Sequence, residues 1–166
     1  MKFEENLLDY ISQSLMKRGE TISIVESVTS GCLQLAFSQM PNASLFYKGG
    51  MTAYTLSEKV RLLNIDRTEA EECDGVSANI AEMMAVNVAQ LFRSDWSIAA
   101  TGYCTPIRNS GYKIFVYFSF AYRGEIVFTK KLELHPKTLA LDAQLYYTEF
   151  ILGCFKSQMN RALILQ

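Results

Sequence analysis

Ser27 stands in a short polar segment whose residue types suit nucleophilic catalysis. The segment ESVTSG, residues 26–31, follows the apolar run TISIV and precedes an apolar helical stretch. Backbone N–H groups at a helix N-terminus lack partners within the helix, so such a loop favours an anion or the oxyanion of an acyl-transfer intermediate. The alternative is structural, because serine and threonine are also common as helix caps and turn residues. Spacing alone leaves both interpretations open.

Lys59 is the residue that could activate such a serine. Thr55 followed by Glu58 predicts a capping box that opens a helix through about Asn64, and Lys59 falls in its first turn. A lysine amine that is removed from water has a lower pKa, and the neutral amine accepts a proton from a serine hydroxyl. The alternative is a solvated surface charge, although the helix dipole slightly disfavours a cation in the first turn.

Few other residues offer a base, a metal ligand or a nucleophile. His135 is the only histidine, so a Ser/His/Asp or Cys/His site would have to use it. The four cysteines are far apart and form no C-x-x-C pair, so the usual spacing of zinc ligands is absent. Cys104 is a second candidate nucleophile, but without a nearby histidine its thiol carries only a few per cent thiolate at neutral pH. We therefore expect no metal and no cofactor.

Length and composition are those of an ordinary globular chain. Its 166 residues are 49% hydrophobic, with 16 basic and 17 acidic residues, and no linker divides them, so we expect a single domain over residues 1–166. The near-zero net charge gives no general attraction to nucleic acid or to anionic lipid, and we expect neither as a partner. An acidic N-terminal segment and the absence of a long apolar run predict a cytoplasmic protein.

Helices and strands alternate along most of the chain. Apolar periodicity predicts helices over residues 3–18, 32–40, 55–64, 77–91 and 137–161. Strands are predicted over residues 21–25, 97–101, 114–122 and 126–134, the last two joined as a hairpin at Arg123-Gly124. This order indicates an α/β protein, a three-layer α/β/α sandwich with a mixed sheet. Ligands in such folds bind beyond the carboxyl ends of the strands, which here are residues 26–31, the segment before Lys59 and residues 101–111.

Several short motifs resemble the CinA C-terminal domain family in order and approximate spacing. They are Glu26 to Gly31, Asn42-Ala43-Ser44, Gly50 through Tyr54 to Lys59, Gly75-Val76-Ser77 with Met84-Ala85, and Thr101-Gly102 with Pro106. The corresponding family patterns include E-S-C/M-T-G-G, T-Y-S-N-E-A-K and T-G-I-A-G-P-x-G-G. The resemblance spans nearly the whole chain. Because that family includes stand-alone nicotinamide mononucleotide deamidases, it implies a homodimer that hydrolyses a nicotinamide carboxamide, a small-molecule substrate, to a carboxylate and ammonia.

The resemblance also implies roles for individual residues. Carried over position by position, it makes Ser27 the nucleophile, Lys59 its general base and Tyr54 a hydroxyl that orients or relays the proton. The substrate-binding positions that it implies are Thr29, Ser30, Gly31, Thr101, Gly102 and Gln144. The set is chemically coherent, because an amide carbon needs a strong nucleophile, N–H donors for its oxyanion and a proton for the leaving ammonia.

Three departures from the family pattern lie near these positions. Ser30 replaces the first glycine of the G-G pair, and the loop over residues 101–111 is shortened and carries Tyr103. Thr138 and Asp142 stand where the family has arginines suited to a phosphate, and a carboxylate there repels one. These changes support a second hypothesis, in which a catalytically degenerate homologue keeps the fold and binds a ligand or a protein.

Overall fold

The computed structural model describes residues 3–164, with side chains through residue 161. The helices are α1 (Glu5–Arg18), α2 (Cys32–Ser38), α3 (Leu56–Leu63), α4 (Arg67–Glu72), α5 (Ala78–Phe92) and α6 (Ala140–Ile164). The strands are β1 (Ile22–Glu26), β2 (Tyr47–Thr52), β3 (Trp96–Tyr103), β4 (Ile114–Tyr122) and β5 (Glu125–Leu134). Short 3-10 turns occupy Ala43–Leu45 and Arg108–Ser110. Within these residues no helix combines the length and the apolar character that a membrane span requires.

The strands form one mixed sheet in the order β2-β1-β3-β4-β5. β1 pairs in parallel with both β2 and β3, whereas β3 with β4 and β4 with β5 are antiparallel pairs. Because β2 and β3 lie on opposite sides of β1, the chain leaves β1 at a topological switch point, where α/β proteins bind their ligands. The carboxyl ends of β1, β2 and β3 share that edge of the sheet.

Helices cover both faces of the sheet, as the sequence predicts for a three-layer sandwich. α1, α2 and α6 pack over one face, in a core that includes Ile22, Ile24 and Ile98. α3, α4 and α5 pack over the other face, in a second core that includes Val25 and Ala99. All five residues of β1 are buried because each face of the strand meets one of these cores. The predicted α/β fold class is confirmed.

Two elements, β2 and α4, were not predicted from the sequence. β2 carries Gly49-Gly50, which is unusual for a strand, but a Cβ at Gly50 would lie 2.5 Å from the carbonyl oxygen of Ile24 on β1. Glycine is therefore what allows the close pairing of these two strands. α4 has only six residues and buries a single one, Ala70, so it presents no apolar stripe to detect.

Predicted element ends agree with the structure within a few residues. Thr55 and Ser77 are N-caps, since their side chains accept hydrogen bonds from the N–H groups of Glu58 and Ile80. The reciprocal half of the predicted capping box is replaced by an ion pair, because the Glu58 carboxylate binds Arg61. Strand β1 includes Glu26, which the sequence places in the following loop, and this extra residue matters for the site.

Candidate active site

A cavity of about 280 Å³ opens at the carboxyl ends of the parallel strands, and we call it the Ser27 cavity. Its lining residues are Ser27, Val28, Tyr54, Thr55, Leu56, Lys59, Asp74, Val76, Gly102, Tyr103, Cys104, Thr105 and Ile107. They come from the segment after β1, from the segment between β2 and α3 with the first turn of α3, from the end of β3 with the loop that follows it, and from the turn between α4 and α5. All three residues predicted to be catalytic line it, and so does Gly102. The cavity lies where the fold predicts a ligand.

Ser27 is held at the end of β1 by the sheet itself. Its N–H donates to the carbonyl oxygen of Ala100 at 2.9 Å, which continues the pairing of β1 with β3 by one residue. Its hydroxyl Oγ donates to the backbone carbonyl oxygen of Tyr54 at 3.3 Å. The residue is only 5% exposed. A rigid strand end therefore fixes the position of this hydroxyl at the cavity.

Lys59 is buried in the cavity wall, although it lies on the first turn of a helix. It is only 3% exposed, and its Nζ donates to the carbonyl oxygen of Tyr54 at 3.4 Å. Burial lowers the pKa of the Lys59 amine from 10.5 to about 8, against the opposing effects of Asp74 and Cys73. The structure thus rejects the interpretation of a solvated surface charge, and the amine is poised to exchange a proton near neutral pH.

Ser27 and Lys59 meet through one shared acceptor. Both Ser27 Oγ and Lys59 Nζ lie within 3.4 Å of the Tyr54 carbonyl oxygen. These two side chains make no direct hydrogen bond to each other, and catalytic hydrogen bonds often tighten only in the complex with substrate. The side chain of Tyr54 is 61% exposed. The contact of Tyr54 with the pair is therefore made by its main chain, whereas the sequence prediction concerns its phenol.

Glu26 organises the loop around Ser27, a role that was not predicted from the sequence. Its carboxylate is fully buried and accepts from the Thr29 hydroxyl at 2.5 Å and from the Leu33 N–H at 3.1 Å. It also accepts from the N–H and the side-chain amide of Gln34 at 2.9 and 3.0 Å. Glu26 thus occupies the start of α2, where a negative charge is stabilised. The Thr29 hydroxyl, predicted to bind substrate, is used inside the protein.

Two backbone N–H groups follow Ser27 without a hydrogen-bond acceptor in the described part of the chain, and Val28, which carries the first of them, lines the cavity. Those of Val28 and Thr29 donate to no acceptor within the described part of the chain, whereas the Ser30 N–H donates to the Ser27 carbonyl oxygen at 3.0 Å. Gln144 on α6 donates from Nε2 to the Val28 carbonyl oxygen at 2.9 Å. Gln144 therefore fixes the peptide that follows the serine, and it does not line the cavity.

Ser30 adopts a backbone conformation that suits glycine. Its φ is 49°, and that of Gly31 is 102°, so both lie in the left-handed region. A non-glycine residue pays a steric cost there, which explains in physical terms why the family pattern has glycine at position 30. The Ser30 side chain is exposed and is not among the lining residues. Its consequence is backbone strain rather than obstruction of the cavity.

Thr101 is hydrogen-bonded to Gly75, the residue on which the Lys59 side chain packs. The fully buried Thr101 hydroxyl donates to the Gly75 carbonyl oxygen at 2.8 Å. Gly75 has a φ of 67°, and a Cβ there would lie 3.3 Å from Lys59 Cδ. The lysine chain therefore packs on this glycine. Gly102, next along β3, has no room for a side chain, because a Cβ would lie 2.1 Å from the carbonyl oxygen of Phe115.

Asp74 is the second charged group of the cavity lining, and sequence reasoning missed it. Its Oδ2 accepts from the Tyr103 hydroxyl at 2.9 Å and from Asn109 Nδ2 at 3.1 Å. Burial and the hydrogen bond to Asp74 raise the pKa of Tyr103, so its phenol stays protonated as a donor. Only one sequence signal pointed here, namely that Tyr103 is bulkier than the residue in the family pattern.

Phosphate and metal ligands are scarce at this site. The cavity lining contains no arginine, and Asp142, at a position where the family has an arginine, is exposed and does not line the cavity. No cluster of three or more histidine, cysteine or acidic side chains that could hold a metal ion occurs among residues 3–161. Burial raises the pKa of the Cys104 thiol, which disfavours its nucleophilic thiolate form. Ser27 is therefore the better nucleophile candidate in this lining.

Comparison with known proteins relates the chain to CinA-like proteins. The CinA C-terminal domain family matches residues 4–146. A CinA-like protein of Thermosynechococcus vestitus is 36% identical over 103 residues, which cover 62% of this chain and 25% of the relative. A CinA-like protein of Dictyoglomus thermophilum is 35% identical over 133 residues, covering 79% of this chain and 32% of that protein. The chain thus spans about a quarter to a third of the length of these relatives.

Solved structures give the same relationship at the level of the fold. A CinA superfamily protein from Escherichia coli superposes with a TM-score of 0.85 at 25% identity, covering 92% of this chain and 89% of the other. The competence or damage-inducible protein from Enterobacter asburiae superposes with a TM-score of 0.88 at 24% identity, covering 96% and 99%. The three-layer architecture is therefore that of these proteins.

Proposed function

The chain belongs to the CinA C-terminal domain family, and we propose that it is an amidohydrolase that cleaves the carboxamide of a nicotinamide nucleotide or of a related compound. One observation carries the proposal. The hydroxyl of Ser27 and the buried amine of Lys59 converge on one carbonyl oxygen inside one cavity. A nucleophile and a base of suitable pKa within reach of each other are the minimum that serine-based amide hydrolysis requires.

The reaction proceeds through an acyl-enzyme. Neutral Lys59 accepts the hydroxyl proton of Ser27 as Oγ attacks the carboxamide carbon, and the free N–H groups of Val28 and Thr29 bind the oxyanion. The protonated amine then donates its proton to the leaving nitrogen, the carbon–nitrogen bond breaks and ammonia departs. A water molecule, deprotonated by Lys59, attacks the ester, and the carboxylate leaves as Ser27 regains its proton.

The surrounding contacts support these steps by positioning the two groups. Glu26 ties the loop after Ser27 to α2 through its contacts with Thr29 and Leu33. The hydrogen bond from Thr101 to Gly75 holds the backbone on which the Lys59 side chain packs. Such locked neighbours keep reacting groups near the productive geometry. The predicted relay through the Tyr54 phenol stays a prediction, because its carbonyl alone contacts the pair.

A second candidate function is ligand or protein binding without catalysis. The observation that favours it is the composition of the cavity lining, which has no arginine to hold a nucleotide phosphate. This candidate keeps the fold and the cavity and gives Ser27 and Lys59 a binding role only.

We also propose a homodimer, in line with the resemblance, and sedimentation equilibrium of the purified protein tests it directly.

Ammonia release distinguishes the two candidates. The purified protein is incubated with nicotinamide mononucleotide and, separately, with nicotinamide riboside, beside the variant Ser27→Ala. Ser57→Ala is the matched control, because Ser57 is exposed and lies outside the cavity lining. We expect release from at least one compound, abolished in Ser27→Ala and retained in Ser57→Ala. Folded wild-type protein that releases no ammonia from either compound would contradict the amidohydrolase and favour the binding protein.

A further inference from the structure

We propose that Asp74 makes this site selective for a carboxamide that carries a positive charge and no phosphate, such as a pyridinium carboxamide. The inference rests on the proposed function for the carboxamide and adds the charge of its carrier. Asp74 and Lys59 are the two residues of the cavity lining with acidic or basic side chains. A charge in the wall of a cavity selects the charge of its ligand.

Asp74 is held in place by hydrogen bonds from two residues of a different chain segment. Its own backbone is left-handed, with a φ of 55°, and its Oδ2 accepts from both Tyr103 and Asn109, which follow in and after β3. Its other oxygen, Oδ1, accepts no hydrogen bond from the described residues. Two donors therefore fix one oxygen of the carboxylate, and the other oxygen is available to a ligand.

The two charged groups have different states during the reaction. Lys59 is neutral when it acts as the base, and Asp74 is then the remaining charge among the lining residues. A cationic ring next to Asp74 is stabilised in that state, whereas a phosphate is repelled. A positive charge on the ligand also favours the neutral form of Lys59. The Asp74 carboxylate itself raises the pKa of Lys59, and a cation bound beside it offsets that effect.

The size of the cavity agrees with a small ligand. Its volume of about 280 Å³ lies just below the usual range for ligand pockets. Asp142, where the family pattern has an arginine, adds a second negative charge on the exposed start of α6. Neither the cavity volume nor the Asp142 charge favours binding of a nucleotide phosphate. Both are compatible with a single cationic aromatic ring that carries a carboxamide.

Binding to the Ser27→Ala protein tests the inference without turnover. The two probes are 1-methylnicotinamide, which is a cation, and nicotinamide, which is neutral and nearly the same shape. Titration calorimetry at low salt and at about pH 9.5, where the Lys59 amine is mostly neutral, is expected to show about two- to fivefold tighter binding of the cation, the range for a charge pair in contact with solvent. The preference is expected to disappear at high salt and in Ser27→Ala/Asp74→Asn.

Two further variants separate charge from structure. Asp9→Asn, a matched control on the exposed face of α1, is expected to keep the preference. Tyr103→Phe removes one donor to Asp74 but leaves the charge, and it is also expected to keep the preference. Equal binding of the two probes, no binding of either, a preference that survives Asp74→Asn, or its loss in Tyr103→Phe would each overturn the inference. Ammonia release measured separately tells a failure of the proposed function apart from a failure of this charge selection.

Discussion

The pH dependence of catalysis follows from the burial of Lys59. Burial holds the pKa of its amine at about 8, and the amine accepts the serine proton only when it is neutral. We therefore expect kcat/KM for ammonia release to rise with pH and to level off above about pH 8. Below that value the rate should fall about tenfold per pH unit, so that at pH 7 about one tenth of the maximum remains.

Replacing Asp74 by asparagine perturbs this profile in a known direction. The Asp74 carboxylate raises the pKa of Lys59, so removing its charge lowers that pKa further. We expect the rising limb of kcat/KM to move to lower pH in Asp74→Asn, and the activity at pH 7 to become a larger fraction of the plateau. Because Asp74 is exposed and its effect is screened, the displacement should be less than about one pH unit.

The assay is ammonia release between pH 6 and 10 at saturating and at low substrate concentration, with far-ultraviolet circular dichroism to show that both proteins stay folded. Lys48→Ala is the control for removal of a surface charge outside the site, because Lys48 is exposed and outside the cavity lining. It should leave the profile unchanged. A rising limb near pH 10.5, a flat profile, or a limb that moves to higher pH in Asp74→Asn would refute the assignment of Lys59 as the base.

Three further substitutions, one of them with a matched control, test the roles of other residues. Tyr54→Phe keeps the carbonyl that contacts Ser27 and Lys59, so kcat/KM should fall by less than about tenfold; a loss of a hundredfold or more would assign the proton relay to the phenol. Gly102→Ala places a Cβ against the Phe115 carbonyl oxygen and should lower the free energy of unfolding in urea by at least about 3 kcal/mol. Gly153→Ala, in the open on α6, should not lower it, and equal effects would contradict the packing argument. Glu26→Gln weakens the acceptor at the start of α2 and should cost about 1 to 3 kcal/mol, measured in the same way; unchanged stability would contradict its role.

The fold was largely predictable because periodicity and turn residues agree along the chain. The buried run at residues 22–26 and the amphipathic helices α1 and α5 each show their own apolar pattern. β2 was not predictable, since its Gly49-Gly50 pair has low strand propensity and is justified only by close contact with β1. Contacts between distant segments override local preference at such positions.

The residues of the candidate site were likewise only partly predictable from the sequence. Ser27 and Lys59 could be singled out because each lies at an element end that the sequence reveals, and the resemblance relates them to each other. Glu26 and Asp74 could not, because their importance depends on hydrogen bonds to residues that only the folded chain brings near. The burial of Lys59 is equally a product of packing, as Gly75 comes from another segment of the chain.

A double-mutant cycle on Ser27 and Lys59 tests the central claim most directly. The quantity measured is kcat/KM for ammonia release by wild type, Ser27→Ala, Lys59→Ala and the double variant. If the two residues act as one unit, each single variant should lose at least about a thousandfold, and the double variant should be no worse than either. Losses that multiply in the double variant, or substantial activity in either single variant, would contradict the pairing of this serine with this lysine.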